Sequence, residues 1–168
     1  MPATALIQQL ELQSNLVCNA THGLTEDEWR WRQSPSSWST LEVVGHLLDE
    51  ERDDFRARIR AIFAGESSWS SIDPESWVLQ RKHQEREPEV LLQQLQAERS
   101  QSILWLRGLE EADWNATMEH GLLGSLSAGD LLAAWVAHDL LHIAQVMRIR
   151  LELTKVSAAP WSTRYAAP

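Results

Sequence analysis

Two histidines toward the C-terminal end of the chain, His138 and His142, have the spacing of a metal-ligand pair. Residues four apart lie on the same face of a helix, so both imidazoles can point at one object. Neutral imidazole binds zinc, nickel, copper and iron. The pair belongs to a series with one helical periodicity: Leu131, Trp135, His138, His142, Gln145 and Ile149. The alternative is two core histidines hydrogen-bonded to their neighbours, and the spacing leaves both interpretations open.

A protein-bound metal needs at least one more ligand, and five side chains are candidates. They are His46, Asp49, Glu50, Asp53 and His120. On a helical wheel His46 falls beside Glu50 and Asp53, away from the main apolar stripe of its segment. Periodicity alone therefore predicts a solvated His46 that pairs with carboxylates.

Composition argues against several classes of function. The 168 residues include 15 Lys and Arg against 24 Asp and Glu, and the net charge of −9 opposes binding to phosphate backbones. We therefore expect no nucleic-acid partner. No window approaches the roughly 20 apolar residues of a membrane span, and the N-terminus does not read as a signal peptide. We expect a cytoplasmic protein without membrane contacts. Cys18 is the only cysteine, which excludes an intramolecular disulfide.

Four long helices are predicted to position these side chains. Apolar residues recur at helical spacing over about residues 4–22, 39–64, 88–109 and 127–153. Ser39 and Ser127 are each followed three residues later by an acidic residue, which is the pattern of a capping box at a helix start. No segment shows convincing strand alternation. The pattern predicts one all-α domain over residues 1–168, folded as a four-helix bundle.

Three segments resemble the DinB-like family, also called the DinB/YfiT superfamily. They are the segment from Trp38 to Glu50, WSTLEVVGHLLDE, the segment from His138 to Gln145, HDLLHIAQ, and residues 24–31, LTEDEWRW. Their order and spacing extend the resemblance over nearly the whole chain. The resemblance implies an up-down-down-up four-helix bundle that is often a homodimer.

The resemblance also implies a ligand set. The family binds its metal through one His on the second helix and two on the fourth, which correspond here to His46, His138 and His142. Three imidazoles leave coordination positions open for water or substrate, which is the arrangement of a catalytic zinc. We expect one divalent transition metal, zinc or nickel. His46 depends on the resemblance, and Glu50 is its alternative on the same helix face.

Relatives with known activities imply a metal-dependent enzyme that acts on small molecules. They include S-transferases that use a low-molecular-weight thiol, so such a thiol is an expected cosubstrate, and hydrolysis is a close variant. Glu50 and Gln145 are the candidate catalytic residues. Arg30, Arg32 and Arg52 are candidate anion contacts, although surface salt bridges are the default interpretation. The alternative function is a non-catalytic, stress-associated metal-binding dimer.

Overall fold

The chain is mostly helical in a computed structural model that describes residues 2–69, 71–109 and 111–166. Helices α1 to α7 span Pro2–Thr21, Glu26–Arg30, Thr40–Asp49, Phe55–Phe63, Pro74–Gln80, Pro88–Arg107 and Ala128–Ser157. A π-helical segment, Glu50–Asp54, joins α3 to α4, and the 3-10 turn His83–Glu85 precedes α6. The four long helical stretches therefore occur where the sequence predicts them, with ends that differ by a few residues.

Each long helical stretch packs against at least two others. Helix α1 packs against α6 and α7, and α3 packs against the same two helices, while α4 continues along α7. This places both faces of α3 against other parts of the protein, whereas α4 keeps an exposed face. The described residues thus form a helical bundle, and the up-down-down-up order of helix directions stays a prediction.

Both predicted capping boxes are present, and they fix the starts of the helices that carry the histidines. The Ser39 hydroxyl accepts a hydrogen bond from the Glu42 backbone N–H, and the Glu42 carboxylate accepts one from the Ser39 N–H at 2.9 Å. The same reciprocal pair joins Ser127 and Asp130 at the start of α7. Each pair satisfies backbone donors that a helix terminus leaves without partners.

The predicted apolar stripe of the second long helix is buried along its whole length. Its members are Leu41, Val44, Leu48, Phe55, Ile59 and Ile62, and each is less than a tenth exposed. Phe55 stacks on Trp135 of α7 with ring centroids 5.6 Å apart. Helix α7 is thereby held against α4 directly beside the histidine pair.

A short antiparallel hairpin corrects the expectation that the chain has no strands. Strand β1, Thr117–His120, pairs with β2, Gly124–Ser127, in the stretch that the sequence predicts to be an irregular joint. Strands of four residues are too short for period-two alternation to stand out. Met118 is the only buried side chain within these two strands. The turn residue Gly124 has a φ of 74°, which favours glycine.

His83, in the 3-10 turn before α6, is a buried histidine within a stretch that is rich in charged residues. The side chain is fully buried against α3, and its Nε2 lies 2.7 Å from Asp49 Oδ2. The close approach requires glycine on the helix: a Cβ added to Gly45 would lie 2.6 Å from the His83 ring atoms Cδ2 and Nδ1. The connection before α6 is thus packed onto the helix that carries His46.

Gly45→Ala should therefore lower the free energy of unfolding. Overpacking of a core costs about 1–3 kcal/mol, and displacing His83 also breaks its hydrogen bond to the buried Asp49 carboxylate. The better helix propensity of alanine returns about 1 kcal/mol, so we expect a net loss of roughly 2 kcal/mol in urea unfolding.

Two comparisons separate the steric effect from other effects of the substitution. In a His83→Ala background, Gly45→Ala should become neutral or stabilising, because the clash is gone and the propensity gain remains. Gly121→Ala, where a Cβ meets nothing within 4 Å, should change stability little. An equal loss from Gly45→Ala in both backgrounds would contradict the packing argument.

Candidate metal centre

The structure brings His46 of α3 together with His138 and His142 of α7. One ligand atom from each residue lies within 4.8 Å of the other two, and the Nε2 atoms of His46 and His138 are 3.1 Å apart. Two ligands placed 2.0–2.1 Å from one tetrahedral ion would be roughly 3.3 Å apart. The three nitrogens therefore have a separation that suits one metal ion.

The expectation of a solvated His46 is wrong. His46 is 4% exposed, and every residue of α3 is buried. A helical wheel compares one apolar face with one solvent face, whereas α3 is covered by α2, α5, α6 and α7. The polar side of the wheel thus faces the protein, and His46 points from that side toward α7.

The other candidate ligands have different partners. Asp49 is bound by His83 and by Arg81, whose Nη1 lies 2.6 Å from Asp49 Oδ1. Arg81 also binds Asp53, 2.7 Å away. His120 lies in the hairpin, where its Nδ1 accepts hydrogen bonds from two backbone N–H groups of the turn. These three residues are therefore not part of the histidine cluster.

Unpaired polar atoms on the outer side of this cluster are compatible with a metal bound at the Nε2 atoms. The Nδ1 atoms of His46 and His138 and the Oε1 atom of Glu50 are buried without a hydrogen-bond partner among the described residues. Burying such groups unpaired costs free energy. Glu50 Oε1 lies 3.9 Å from His46 Nδ1, so a small movement would let that Nδ1–H donate to it. Metal binding at Nε2 favours this arrangement of an outer carboxylate.

Gln145 orients the third histidine. Its Oε1 lies 2.8 Å from His142 Nδ1, where it accepts the Nδ1–H proton. A neutral imidazole that donates through one nitrogen presents a lone pair on the other. The contact thus leaves the Nε2 lone pair of His142 available to a metal ion.

Aromatic rings cover the cluster. The Trp38 ring lies 5.0 Å from His46 and 6.3 Å from His142 between centroids, and Phe55 packs edge-on against His138 at 5.2 Å. These rings exclude water from one side of the three imidazoles. Low local polarity strengthens electrostatic interactions inside such a site.

The π-helical segment explains how Phe55 reaches His138. Its backbone N–H donates to the Glu50 carbonyl, five residues earlier, instead of four as in an α-helix. One extra residue in the turn moves Phe55 toward the helix face that carries His46 and Glu50. Single π-helical turns often occur at functional sites, and here the turn lies directly after the His46 helix.

A buried charge cluster behind the site was missed in the sequence. Arg99 binds the Glu51 carboxylate through Nε and Nη2, at 2.9 and 2.6 Å, and donates from Nη1 to Asp139 at 2.6 Å. All three side chains are at most 4% exposed. The sequence does contain a sign of this buried arginine. Arg99 interrupts a series of apolar residues spaced by four, which are Leu91, Leu95 and Ile103.

Burial and mutual repulsion keep the histidines neutral. Burial lowers the pKa of His46 from 6.5 to about 3, and the neighbouring His142 and His138 add to that shift. Burial, His142 and the Arg99 charge lower the pKa of His138 to about 3. The pKa of His142 is also lowered by burial. Neutral imidazole is the form that binds metal ions, so these side chains need no deprotonation at neutral pH.

Glu50 has the opposite shift. Burial raises its pKa from 4.5 to about 8, with a further contribution from its hydrogen bond with Asp54. Two carboxyls that share a site cannot both ionise easily, so a proton stays with the pair. In the metal-free protein, Glu50 is therefore protonated near neutral pH.

The metal-free protein should lose stability as the pH falls from 6.5 toward 5. His46 and His138 have folded-state pKa values of about 3, below their ordinary 6.5, so the unfolded state binds more protons in this window. Each histidine then lowers the free energy of unfolding by up to about 1.4 kcal/mol per pH unit. The pKa of Glu50 is raised to about 8 in the folded state, so acidification increases its contribution to the free energy of unfolding. This increase offsets the loss caused by one histidine.

We therefore expect a net loss of about 1.4 kcal/mol per pH unit in urea unfolding with EDTA present. In the double variant His46→Gln, His138→Gln only the opposite contribution of Glu50 remains, so its stability should rise by up to about 1.4 kcal/mol per pH unit as the pH falls. Equal slopes in the wild type and the double variant would show that other groups cause it.

The three arginines considered as anion contacts all bind carboxylates. Arg30 pairs with Glu26, Arg32 pairs with the buried Glu42, and Arg52 Nε lies 2.9 Å from Glu98. The salt-bridge interpretation accounts for their positions.

The described residues thus form a helical bundle with a candidate metal site. Three inward-facing histidines from the second and fourth long helical stretches form that site. The profile of the DinB superfamily matches residues 9–146, and the chain belongs to that superfamily. This confirms the resemblance of the sequence motifs. The chain matches no curated protein sequence.

A solved structure supports the fold. It is YfiT from Bacillus subtilis, described as a probable metal-dependent hydrolase with an unusual four-helix bundle topology. The TM-score is 0.80 at 20% sequence identity, over 90% of this chain and 87% of YfiT. In the described part of this chain, no helix is long and apolar enough to cross a membrane.

Proposed function

We propose that the protein is a metal-dependent hydrolase that acts on small molecules and binds one divalent transition metal through His46, His138 and His142. The observation that carries the proposal is the convergence of three neutral, largely buried imidazoles whose ligand atoms lie within 4.8 Å of one another. Zinc and nickel suit such a ligand set. The description of YfiT as a probable hydrolase favours hydrolysis over thiol transfer.

The side chains around the cluster have separate tasks in this proposal. When bound, a divalent metal supplies Lewis-acid chemistry that polarises a carbonyl and activates water for attack. Gln145 holds His142 with Nε2 toward the centre, and Glu50 lies where it can accept a hydrogen bond from His46 Nδ1. Both candidate catalytic residues therefore act as positioning residues. Trp38 and Phe55 exclude bulk water from the rings that they cover.

Hydrolysis of a panel of p-nitrophenyl esters by tag-free, zinc-loaded protein tests the proposal. We expect turnover that EDTA removes and that zinc restores. His142→Ala should reduce it by more than about 100-fold, because the metal is no longer held. His22→Ala provides the matched control, since His22 is exposed at the end of α1.

Two other results would contradict a hydrolase. Turnover of monochlorobimane only with an added low-molecular-weight thiol would indicate the transferase that the sequence resemblance implies. Metal binding without turnover of any ester or thiol substrate would indicate the non-catalytic metal-binding protein.

A further inference from the structure

An apolar groove between α4 and α7 lies beside the histidine cluster, partly covered by the hairpin. Its volume is about 340 Å³, which is within the range of small-molecule sites. The apolar side chains that line it are Phe55, Trp69, Ile72, Leu123, Leu126, Leu131 and Ala134. The groove therefore offers a largely hydrocarbon surface to a ligand.

The groove adjoins the candidate metal centre at one end. Ala134 is one helical turn before His138 on the same face of α7. Phe55 lines the groove and also packs against His138, with ring centroids 5.2 Å apart. Asp54, at the edge of the groove, is hydrogen-bonded to Glu50 beside His46. The groove and the three imidazoles are therefore neighbours, and Phe55 contacts both.

The charged groups at the rim already have partners. Arg58 pairs with Asp54, and its guanidinium lies over the Trp69 ring at 4.8 Å. The Asp130 carboxylate accepts hydrogen bonds from the Ser127 backbone N–H and hydroxyl, at 2.9 and 2.6 Å. A charged ligand would have to break these pairs, whereas an apolar ligand would leave them intact.

We propose that this groove binds the apolar body of the substrate, an alkyl chain or a single aromatic ring, with the reacting carbonyl at His46, His138 and His142. The inference rests on the proposed function for the position of the reacting group. Since one water occupies about 30 Å³ of liquid, the groove accommodates roughly ten non-hydrogen atoms. The substrate class is therefore medium-chain or arylalkyl carbonyl compounds without charge on the apolar body.

Binding of linear primary amides, from acetamide to hexanamide, tests the groove without requiring turnover. We expect the affinity, measured by ligand-observed NMR with zinc-loaded protein, to rise about fourfold per added methylene, as for buried hydrocarbon. Any contact of the amide group with the metal is the same for every member of the series. The change in affinity per methylene group therefore measures binding of the alkyl chain in the groove. The measurement is repeated after zinc removal and should give the same slope.

Ala134→Phe should remove the dependence on chain length, because the ring fills the groove from an exposed position on α7. Ala133→Phe is the matched control; it adds the same ring to an exposed residue outside the groove lining. The wild type and Ala133→Phe should keep the slope, and all three proteins should keep the same melting temperature and zinc content.

The groove proposal would be overturned if the affinity of the wild type for the amides did not change with chain length. It would also be overturned if Ala134→Phe kept the same dependence on chain length as the wild type. Ester hydrolysis is measured on the same samples, so the two proposals can fail separately. A normal slope with no ester turnover would reject the hydrolase and retain the apolar site.

Discussion

Replacing His46 with alanine should weaken zinc binding by more than about 100-fold. Loss of a hydrogen-bond partner of a metal ligand already costs 10–100-fold in affinity, and loss of the ligand itself leaves only the two imidazoles of α7. His138 and His142 share α7, whereas His46 comes from α3. A competition titration against a chromophoric chelator measures the change.

His22→Ala should bind zinc as the wild type does, because His22 is exposed and outside the cluster. Circular dichroism of the metal-free variants excludes misfolding as the cause of a loss. If the affinity of His46→Ala stays within about threefold of the wild type, then His46 is not a ligand. Glu50, one turn away, would then be the residue to replace next.

Arg99→Met should lower the free energy of unfolding by about 3–5 kcal/mol. The substitution keeps most of the side-chain volume but leaves the carboxylates of Glu51 and Asp139 buried without their cation. Removal of one partner from a buried ionic cluster is costly because the remaining charges are not solvated. Burial already raises the pKa of Asp139 while Arg99 lowers it, so without Arg99 a proton should bind there.

Arg107→Met is the matched control for Arg99→Met. Arg107 lies on the same helix and pairs with Glu11, but both side chains are about half exposed, at 57% and 47%. Exposed pairs contribute little, so we expect a loss below about 1 kcal/mol. Adding Glu51→Gln and Asp139→Asn to Arg99→Met should recover part of the stability. Urea unfolding measures all variants, and similar losses for Arg99→Met and Arg107→Met would contradict a structural role for the buried cluster.

Features with a local cause could be predicted from the sequence. The helix starts at Ser39 and Ser127 depend on capping residues within three positions, and both capping boxes are present. The shared helix face of His138 and His142 follows from their spacing alone. DinB superfamily membership followed from ordered motifs and is confirmed by the family profile.

Features that depend on tertiary neighbours could not be predicted in this way. His46 lies on the polar side of its helix, and only the packing of α7 against that side makes it an inward-facing residue. The environment of His83 depends on the absence of a side chain at Gly45, almost forty residues earlier in the chain. The Arg99 cluster draws its two carboxylates from different helical segments. The periodicity of one segment does not indicate which residues of other segments will contact it.

The π-helical segment shows a further limit of sequence patterns. Predictions with a uniform 3.6-residue period treat residues 39–64 as one regular helix. The structure inserts one extra residue per turn at Glu50–Asp54, and the residues that follow are rotated relative to α3. Phe55 still lies in the core, so the apolar stripe gave no sign of the irregularity. Its effect appears only where Phe55 meets His138.

Metal content after equilibrium dialysis shows whether the three histidines form a metal centre. Tag-free wild-type protein and the triple variant His46→Ala, His138→Ala, His142→Ala are dialysed against zinc and, separately, nickel, and elemental analysis gives the metal bound per chain. We expect one equivalent in the wild type and none above background in the triple variant. Less than about 0.2 equivalents of either metal in the wild type, or equal amounts in both proteins, would contradict a metal centre at these three histidines.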